Sequence, residues 1–251
     1  MASQPSCKTT LATPTSASTD ACEASYERPP MQPWEPLDVA RAPDGTELQL
    51  WRRGTELVVR VHGEELMSNR RHGSEEQLAE LACADLEPKA RVLIGGLGLG
   101  FTLKATLATL PARSVVIVRE LVPKLASWVR AHAGGAAMLE DRRVRIEFGD
   151  VAARIESSEG AFDAIVLDVD NGPTALVKPS NARLYGVDGL AAAKRALVEG
   201  GRLAIWSASH DAAFLRRFEQ AGFEARAVEP RTRRGNGGRH VVFIGTRRRE
   251  R

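Results

Sequence analysis

Arg91-Val92-Leu93-Ile94-Gly95-Gly96-Leu97-Gly98-Leu99-Gly100-Phe101 is the stretch that decides the fold. A short apolar run ends in four glycines within six residues, and a helical pattern from Phe101 to Leu110 follows at once. Such a junction lets backbone approach a ligand closely, and the helix that opens behind it offers free N–H groups to an anion. The same spacing also suits a bare strand–helix turn. By itself the loop marks a nucleotide-type site without choosing the nucleotide.

Downstream, strand and helix patterns alternate. Strands are expected at Ser114–Val118, Val144–Phe148, Phe162–Leu167 and Arg202–Trp206. Helices are expected at Pro123–His132, with Pro in the first turn, at Asp188–Val198 ending on Gly200-Gly201, and at Asp211–Ala221. The chain closes with Phe223–Val228 and His240–Thr246, with no helical pattern between them, so this pair should be antiparallel. The alternation predicts an α/β doubly wound, mostly parallel sheet of the Rossmann-like, class I methyltransferase type, with a C-terminal antiparallel hairpin.

Upstream, Leu78, Leu81, Ala82 and Leu86 follow helical spacing behind Ser74-Glu75-Glu76-Gln77, which reads as a capping box. Residues 37–72 read as a small β-hairpin domain. Pro43-Asp44-Gly45 is a turn, Glu47–Trp51 and Leu57–Val61 are strands, and His62-Gly63-Glu64-Glu65 turns the chain into Leu66-Met67. Residues 1–36 are rich in Ser, Thr, Pro and Ala and read as a disordered tail. That leaves 73–251 as the nucleotide-binding domain.

Composition sets limits. The chain has 251 residues, 43% of them hydrophobic, and a formal net charge of +3, which does not demand a nucleic-acid partner. Cys7, Cys22 and Cys83 form neither a disulfide framework nor a metal-ligand spacing, so no metal is expected. No apolar run approaches the roughly 20 residues that span a bilayer. No secretory signal is visible, and the cytoplasm is the default compartment.

Three further positions fall at the expected carboxyl ends of the strands. Glu120 follows the second core strand, where a carboxylate can accept ribose hydroxyls. Asp150, after the third, can accept an adenine amine or serve as the N-cap of the Val151 segment. Asp168 and Asp170, after the fourth, can hold a cationic amine, or one can act as general base, with mutual repulsion raising one pKa. His210 follows the fifth strand and is a further candidate for substrate contact. Arg231, Arg233, Arg234 and Arg239, and the tail from Arg247 to Arg251, lack interleaved aromatics and read as solvated charge.

Together these residues resemble the spermidine synthase family of polyamine aminopropyltransferases. The resemblance is carried by Val92-Leu93-Ile94-Gly95-Gly96, Glu120 with Pro123, Gly149-Asp150, Phe162–Asp168 and Gly172-Pro173. It implies a transferase whose co-substrate, S-adenosylmethionine or its decarboxylated form, lies against Gly95, Gly96, Gly98, Gly100, Glu120 and Asp150. It implies Asp168 as the base that deprotonates a small-molecule amine, with Asp170 and the aromatic Tyr185 on the substrate, and a homodimer as one option. Gly98 stands where that family carries an aspartate. The family's Tyr-His-Glu element is replaced by Ser74-Glu75-Glu76-Gln77, and the loop after Asp168 is shorter. These departures keep ordinary S-adenosylmethionine, and a methyltransferase of a small molecule or macromolecule, as the alternative reading. A degenerate binding module and an RNA-modifying enzyme are the remaining rivals.

Overall fold

The apolar run before the glycines is the fifth strand of the chain, β5 (Arg91–Gly95). It lies inside a seven-stranded sheet with β6 (Val115–Glu120), β7 (Val144–Phe148), β8 (Phe162–Leu167), β9 (Leu197–Ser207), β10 (Phe223–Val228) and β11 (Val241–Arg247). The spatial order is β10-β11-β9-β8-β5-β6-β7. Strands β5 to β9 run parallel, and β11 lies antiparallel between β9 and β10. The computed structural model describes residues 32–70, 72–168, 183–229 and 240–249. From β5 the chain steps outward to β6 and β7, then returns to lay β8 on the other side. That reversal opens a crevice at the strand ends beside β5, where ligands of such sheets bind.

Helices cover both faces, and their apolar stripes explain why. On one face α5 (Val151–Glu156), α6 (Val187–Ala196) and α7 (Ala212–Gln220) bury Ile155, Leu190, Phe214 and Phe218 against Leu93, Ile165 and Phe243. On the other, α1 (Gly73–Cys83), α2 (Phe101–Thr109), α3 (Pro123–Ala131) and the single turn α4 (Ala136–Leu139) bury Leu78, Leu103, Val129 and Leu139 against Val92, Val116 and Val166. Among the described residues no helix is long and apolar enough to cross a membrane.

Four antiparallel strands precede α1: β1 (Glu35–Arg41), β2 (Glu47–Arg53), β3 (Glu56–Val61) and β4 (Glu64–Ser68), in the order β1-β2-β3-β4. β1 starts two residues before the expected boundary at residue 37. Leu48, Leu50 and Val59 pack with Leu99 of the glycine loop and with Leu125 and Trp128 of α3. Both sheets therefore belong to one compact unit, Pro33–Arg251. A polar clamp joins them: Trp128 Nε1 donates to Asp38 Oδ2 at 2.9 Å, and Lys124 Nζ lies 3.0 Å from the same oxygen. The Trp128 hydrogen bond, then Lys124, holds the Asp38 carboxyl below its ordinary pKa. Asp38→Ala is expected to cost about 1–2 kcal/mol in denaturant titration at neutral pH. Because the folded pKa is lowered, that contribution is complete above the ordinary carboxylate range and disappears as pH falls through the lowered value. An Asp38→Ala protein as stable as the parent at pH 7 would count against the clamp.

Two local expectations are corrected. The helix expected to run through Val198 stops at Ala196, and Leu197 already pairs with Phe162 of β8. Gly200-Gly201 is thus no helix C-cap; it lies in a bulged stretch of β9, with Gly200 at φ +78. Pairing and burial of Leu197 override the helical pattern. The capping box is also absent. The N-cap of α1 is His72, which puts Ser74 inside the first turn, where its hydroxyl donates to Glu75 Oε2 at 2.6 Å. His72 Nδ1 instead meets Glu76 Oε1 at 2.9 Å.

Candidate functional site

At the carboxyl ends of β5, β8 and β9 lies a cavity of about 290 Å³. Its floor is Asp168 and Trp206, at the ends of neighbouring parallel strands. Leu97, Gly98, Leu99 and Phe101 wall one side, and Ser74-Glu75 of α1 another. β4 supplies a further wall through Glu65, Leu66 and Met67, and His240 and Ala208 complete it. Among the described residues lining it, three are carboxylates and none is Lys or Arg. A larger open groove of about 930 Å³ runs along α1, β10 and β11, away from the strand ends. Its lining mixes the carboxylates of Glu80, Asp85, Glu219 and Glu224 with the guanidinium groups of Arg202, Arg226 and Arg248, so charges of both signs nearly balance there.

Asp168 carries the chemistry of the cavity. Thr102, in the first turn of α2, donates its hydroxyl to Asp168 Oδ2 at 2.6 Å, and the Asp168 N–H is held by the Gly95 carbonyl at 3.1 Å. Burial first, and the negative field of Glu75 second, push the Asp168 pKa up to about 7, against the opposing pull of the Thr102 hydroxyl. A carboxylate titrating near 7 is suited to exchange protons at physiological pH.

The glycine loop is shaped from below by Glu120. That carboxylate is only 4% exposed, and it accepts the N–H of Leu97 through one oxygen and of Val122 through the other, each at 2.7 Å. Burial pushes its pKa up, while backbone N–H groups of Val122, Leu97, Leu121 and Gly98 pull it down. Gly100 is the N-cap of α2 at φ +90, and a Cβ there would lie 2.6 Å from Met138 Cε. Among the described residues no side chain caps α2, which leaves its first-turn N–H groups without a side-chain acceptor there.

No protein-family model matches the chain, and no curated protein matches it in sequence. Solved structures do match. The spermidine synthase of Thermotoga maritima aligns at TM-score 0.66 and 16% identity, over 84% of this chain and 72% of that one. A spermidine synthase in complex with the transition-state analogue AdoDATO aligns at 0.66 and 17%, over 84% and 72%. A probable spermidine synthase of Corynebacterium glutamicum aligns at 0.55 and 18%, over 84% and 79%.

The fold is that of the spermidine synthases. Within this spermidine synthase fold, the expected site residues separate into groups. Gly98 and Asp168 line the cavity. Gly95, Gly96 and Gly100 shape the loop beside it, and a Cβ on Gly95 would crowd Leu167 and Val151 at 3.0 Å. Asp150 stands at the far side, over β6 and β7. Its Oδ1 caps α5 through the Ala152 N–H at 2.8 Å, and its Oδ2 pairs with Arg183 at 2.8 Å. Arg119 lies across Gly149 and pairs with Glu147 at 3.4 Å. The β6–β7 side of the crevice is therefore bordered by Arg119 and Arg183, which the sequence did not single out.

Tyr185 does not line the cavity. It is 3% exposed in the core on the α5–α7 face, edge-on to Phe214 with centroids 6.1 Å apart. Burying the ring there outweighs presenting it to a ligand. Asp170 and Arg231 to Arg239 lie outside the described residues. Arg247 is not free solvated charge: its guanidinium donates to the carbonyls of Lys194 and Leu197 at 3.1 and 2.6 Å, closing the end of α6. His210 is exposed and sits beside Phe243; the histidine on the cavity is His240. Thr102, Glu75 and Trp206 were missed as site residues. Only their places at helix and strand ends hinted at them.

Proposed function

We propose that the protein is a transferase that moves a group from a sulfonium nucleotide to an amine, by chemistry like that of the aminopropyltransferases. The observation that carries this reading is Asp168, held with a pKa of about 7 in a cavity bounded by the glycine loop, in the spermidine synthase fold. A neighbour of the same fold in complex with AdoDATO supports it. The residues present suit such a co-substrate. The first turn of α2, without a side-chain cap among the described residues, offers N–H groups to an amino-acid carboxylate, and Asp150, at the carboxyl end of β7, is the candidate acceptor for an adenine amine.

A sulfonium supplies a good leaving group, so the chain has to align the reactants and remove a proton. An alkylammonium with a pKa of roughly 10 carries no lone pair at neutral pH. Asp168 takes one ammonium proton. The freed nitrogen pair then attacks the carbon next to sulfur. The C–N bond forms as the C–S bond breaks, and that electron pair stays on sulfur as a neutral thioether. Incubation with S-adenosylmethionine and with its decarboxylated form, followed by identification of the released nucleoside and the alkylated amine, tests the reading. If calorimetry detects binding of neither nucleotide, the fold is acting as a binding module and the transferase reading is lost.

Gly98 favours a second reading, methyl transfer from ordinary S-adenosylmethionine. At φ +53, a backbone region that Asp tolerates better than most residues, it leaves the glycine loop itself without a carboxylate. A Cβ there would meet Met67 Sδ at an ordinary 3.5 Å. Gly98→Asp should fold, losing about 1 kcal/mol to backbone strain. The added negative charge should shift the binding ratio about tenfold toward the decarboxylated, more cationic nucleotide. An unchanged ratio by calorimetry would separate this position from recognition of the nucleotide tail.

A further inference from the structure

One carboxylate on the cavity stands where the packing of its helix does not call for one. Leu78, Ala79 and Ala82 form the stripe that α1 buries, each at 0% exposure. Glu75 precedes them by three, four and seven positions. It therefore continues the buried stripe past the strand ends and into the lining of the cavity. Its acidic neighbours on the helix behave differently. Glu76 and Glu80 are exposed, and Glu76 meets His72 Nδ1 at 2.9 Å. Glu75 is half-buried, and Ser74 Oγ donates to its Oε2 at 2.6 Å. A negative charge in the first turn is favoured by the helix dipole. The described lining offers no Lys or Arg to pair with it.

The movement of charge during transfer gives this carboxylate a use. Asp168 takes one proton from the ammonium and becomes neutral. As the C–N bond forms, the C–S pair stays on sulfur and the positive charge passes from sulfur to nitrogen. Asp168 then has no charge left to oppose it. A fixed carboxylate beside the nitrogen stabilises the charge that develops there. The titratable groups around Asp168 in the cavity are Glu75 of α1, Glu65 of β4 and His240, one residue before β11. Of these, Glu75 is the one whose charge, after burial itself, raises the Asp168 pKa. Its field therefore covers the place where the proton moves.

Resting on the transferase reading above, we propose that Glu75 is a second catalytic residue, whose carboxylate pairs with the substrate nitrogen opposite Asp168. It holds the ammonium on arrival and meets the positive charge that returns to nitrogen as the carbon–sulfur bond breaks. Asp168 carries the proton, and Glu75 carries the opposing charge.

The test is calorimetric titration of the full-length protein with n-butylamine and 1,4-diaminobutane at a series of pH values across neutrality. The protein is loaded with 5′-methylthioadenosine, the adenosyl thioether part of both sulfonium nucleotides, which has no sulfonium and so transfers nothing. In the parent, amine affinity should rise with pH as Asp168 ionises. Glu75→Gln is expected to bind both amines about tenfold more weakly on the upper plateau. With the negative field gone, its midpoint should also move to lower pH, which a merely structural loss would not do. Glu76→Gln removes the same charge from the same turn outside the cavity lining and should match the parent. Equal amine affinity in parent and Glu75→Gln, an unmoved midpoint, the same effect from Glu76→Gln, or no binding of either amine by the parent overturns the proposal while leaving the transferase reading in place. Absence of binding by either sulfonium nucleotide, measured first, removes that reading itself. Should Glu75→Gln melt early, Glu75→Asp decides. It keeps the charge and should keep the parent's midpoint, and a lowered midpoint there overturns the proposal.

Discussion

Asp168→Asn is expected to lower turnover by about a hundredfold to ten-thousandfold while nucleotide affinity stays within a factor of about two. Asn has nearly the same shape, and its carbonyl oxygen can still accept from the Thr102 hydroxyl, now at 2.6 Å from Asp168. What it cannot do is take a proton from the attacking amine. The pH dependence follows from the same group. With the pKa raised to about 7, the basic form accumulates as pH rises, so the parent's rate should climb through about pH 7 to a plateau. Thr102→Val removes a hydrogen bond that favours the charged form, so it should move that limb to higher pH. Linkage gives a separate sign. A folded-state pKa above the ordinary value near 4 means that the stability from holding this proton is complete below pH 4 and lost as pH rises through about 7. Asp168→Asn should therefore melt higher than the parent at pH 8 and flatten the dependence. Turnover at the parent's rate by Asp168→Asn would remove Asp168 from the mechanism.

Glu120→Ala should be the most destabilising single change at the site. It strips acceptors from the N–H groups of Leu97 and Val122, both belonging to residues under 10% exposed. Each orphaned donor costs about 1–3 kcal/mol, so the expected loss in denaturant titration is about 2–6 kcal/mol. The loop would also lose its support, and nucleotide binding should fall with it. Glu120→Gln separates charge from geometry. It keeps one acceptor oxygen but turns an NH₂ against a backbone N–H, so its loss should be smaller yet measurable. A Glu120→Ala protein with parental stability and nucleotide affinity would show that water can replace the carboxylate under the loop.

Much of the architecture was legible because apolar periodicity is a local property. β7 and β8 fall on the residues read as strands, Val144–Phe148 and Phe162–Leu167. The lack of a helical pattern between the last two strands anticipated their antiparallel pairing. Where the reading failed, a partner distant in sequence was responsible. Leu197 pairs with Phe162, so a helical pattern ends early. Ser74 follows a helical Gly73, so a capping motif caps nothing. Tyr185 meets Phe214 in the core, so an aromatic near the site turns away from it.

The candidate site divides in the same way. The run from Arg91 to Phe101 and the apolar run ending at Asp168 determined by themselves that a glycine loop and a carboxylate stand at strand ends, because strand order and loop chemistry are written in contiguous residues. Only the tertiary structure decided which way each carboxylate faces. Glu120 turns under the loop because the backbone N–H groups of Leu97 and Val122 converge on it. Asp168 stays in the cavity because Thr102, 66 positions away in sequence, holds it there. Trp206, Glu75 and the wall from β4 reach that cavity from separate elements. Their convergence depends on how helices and sheets pack, and no local pattern encodes it.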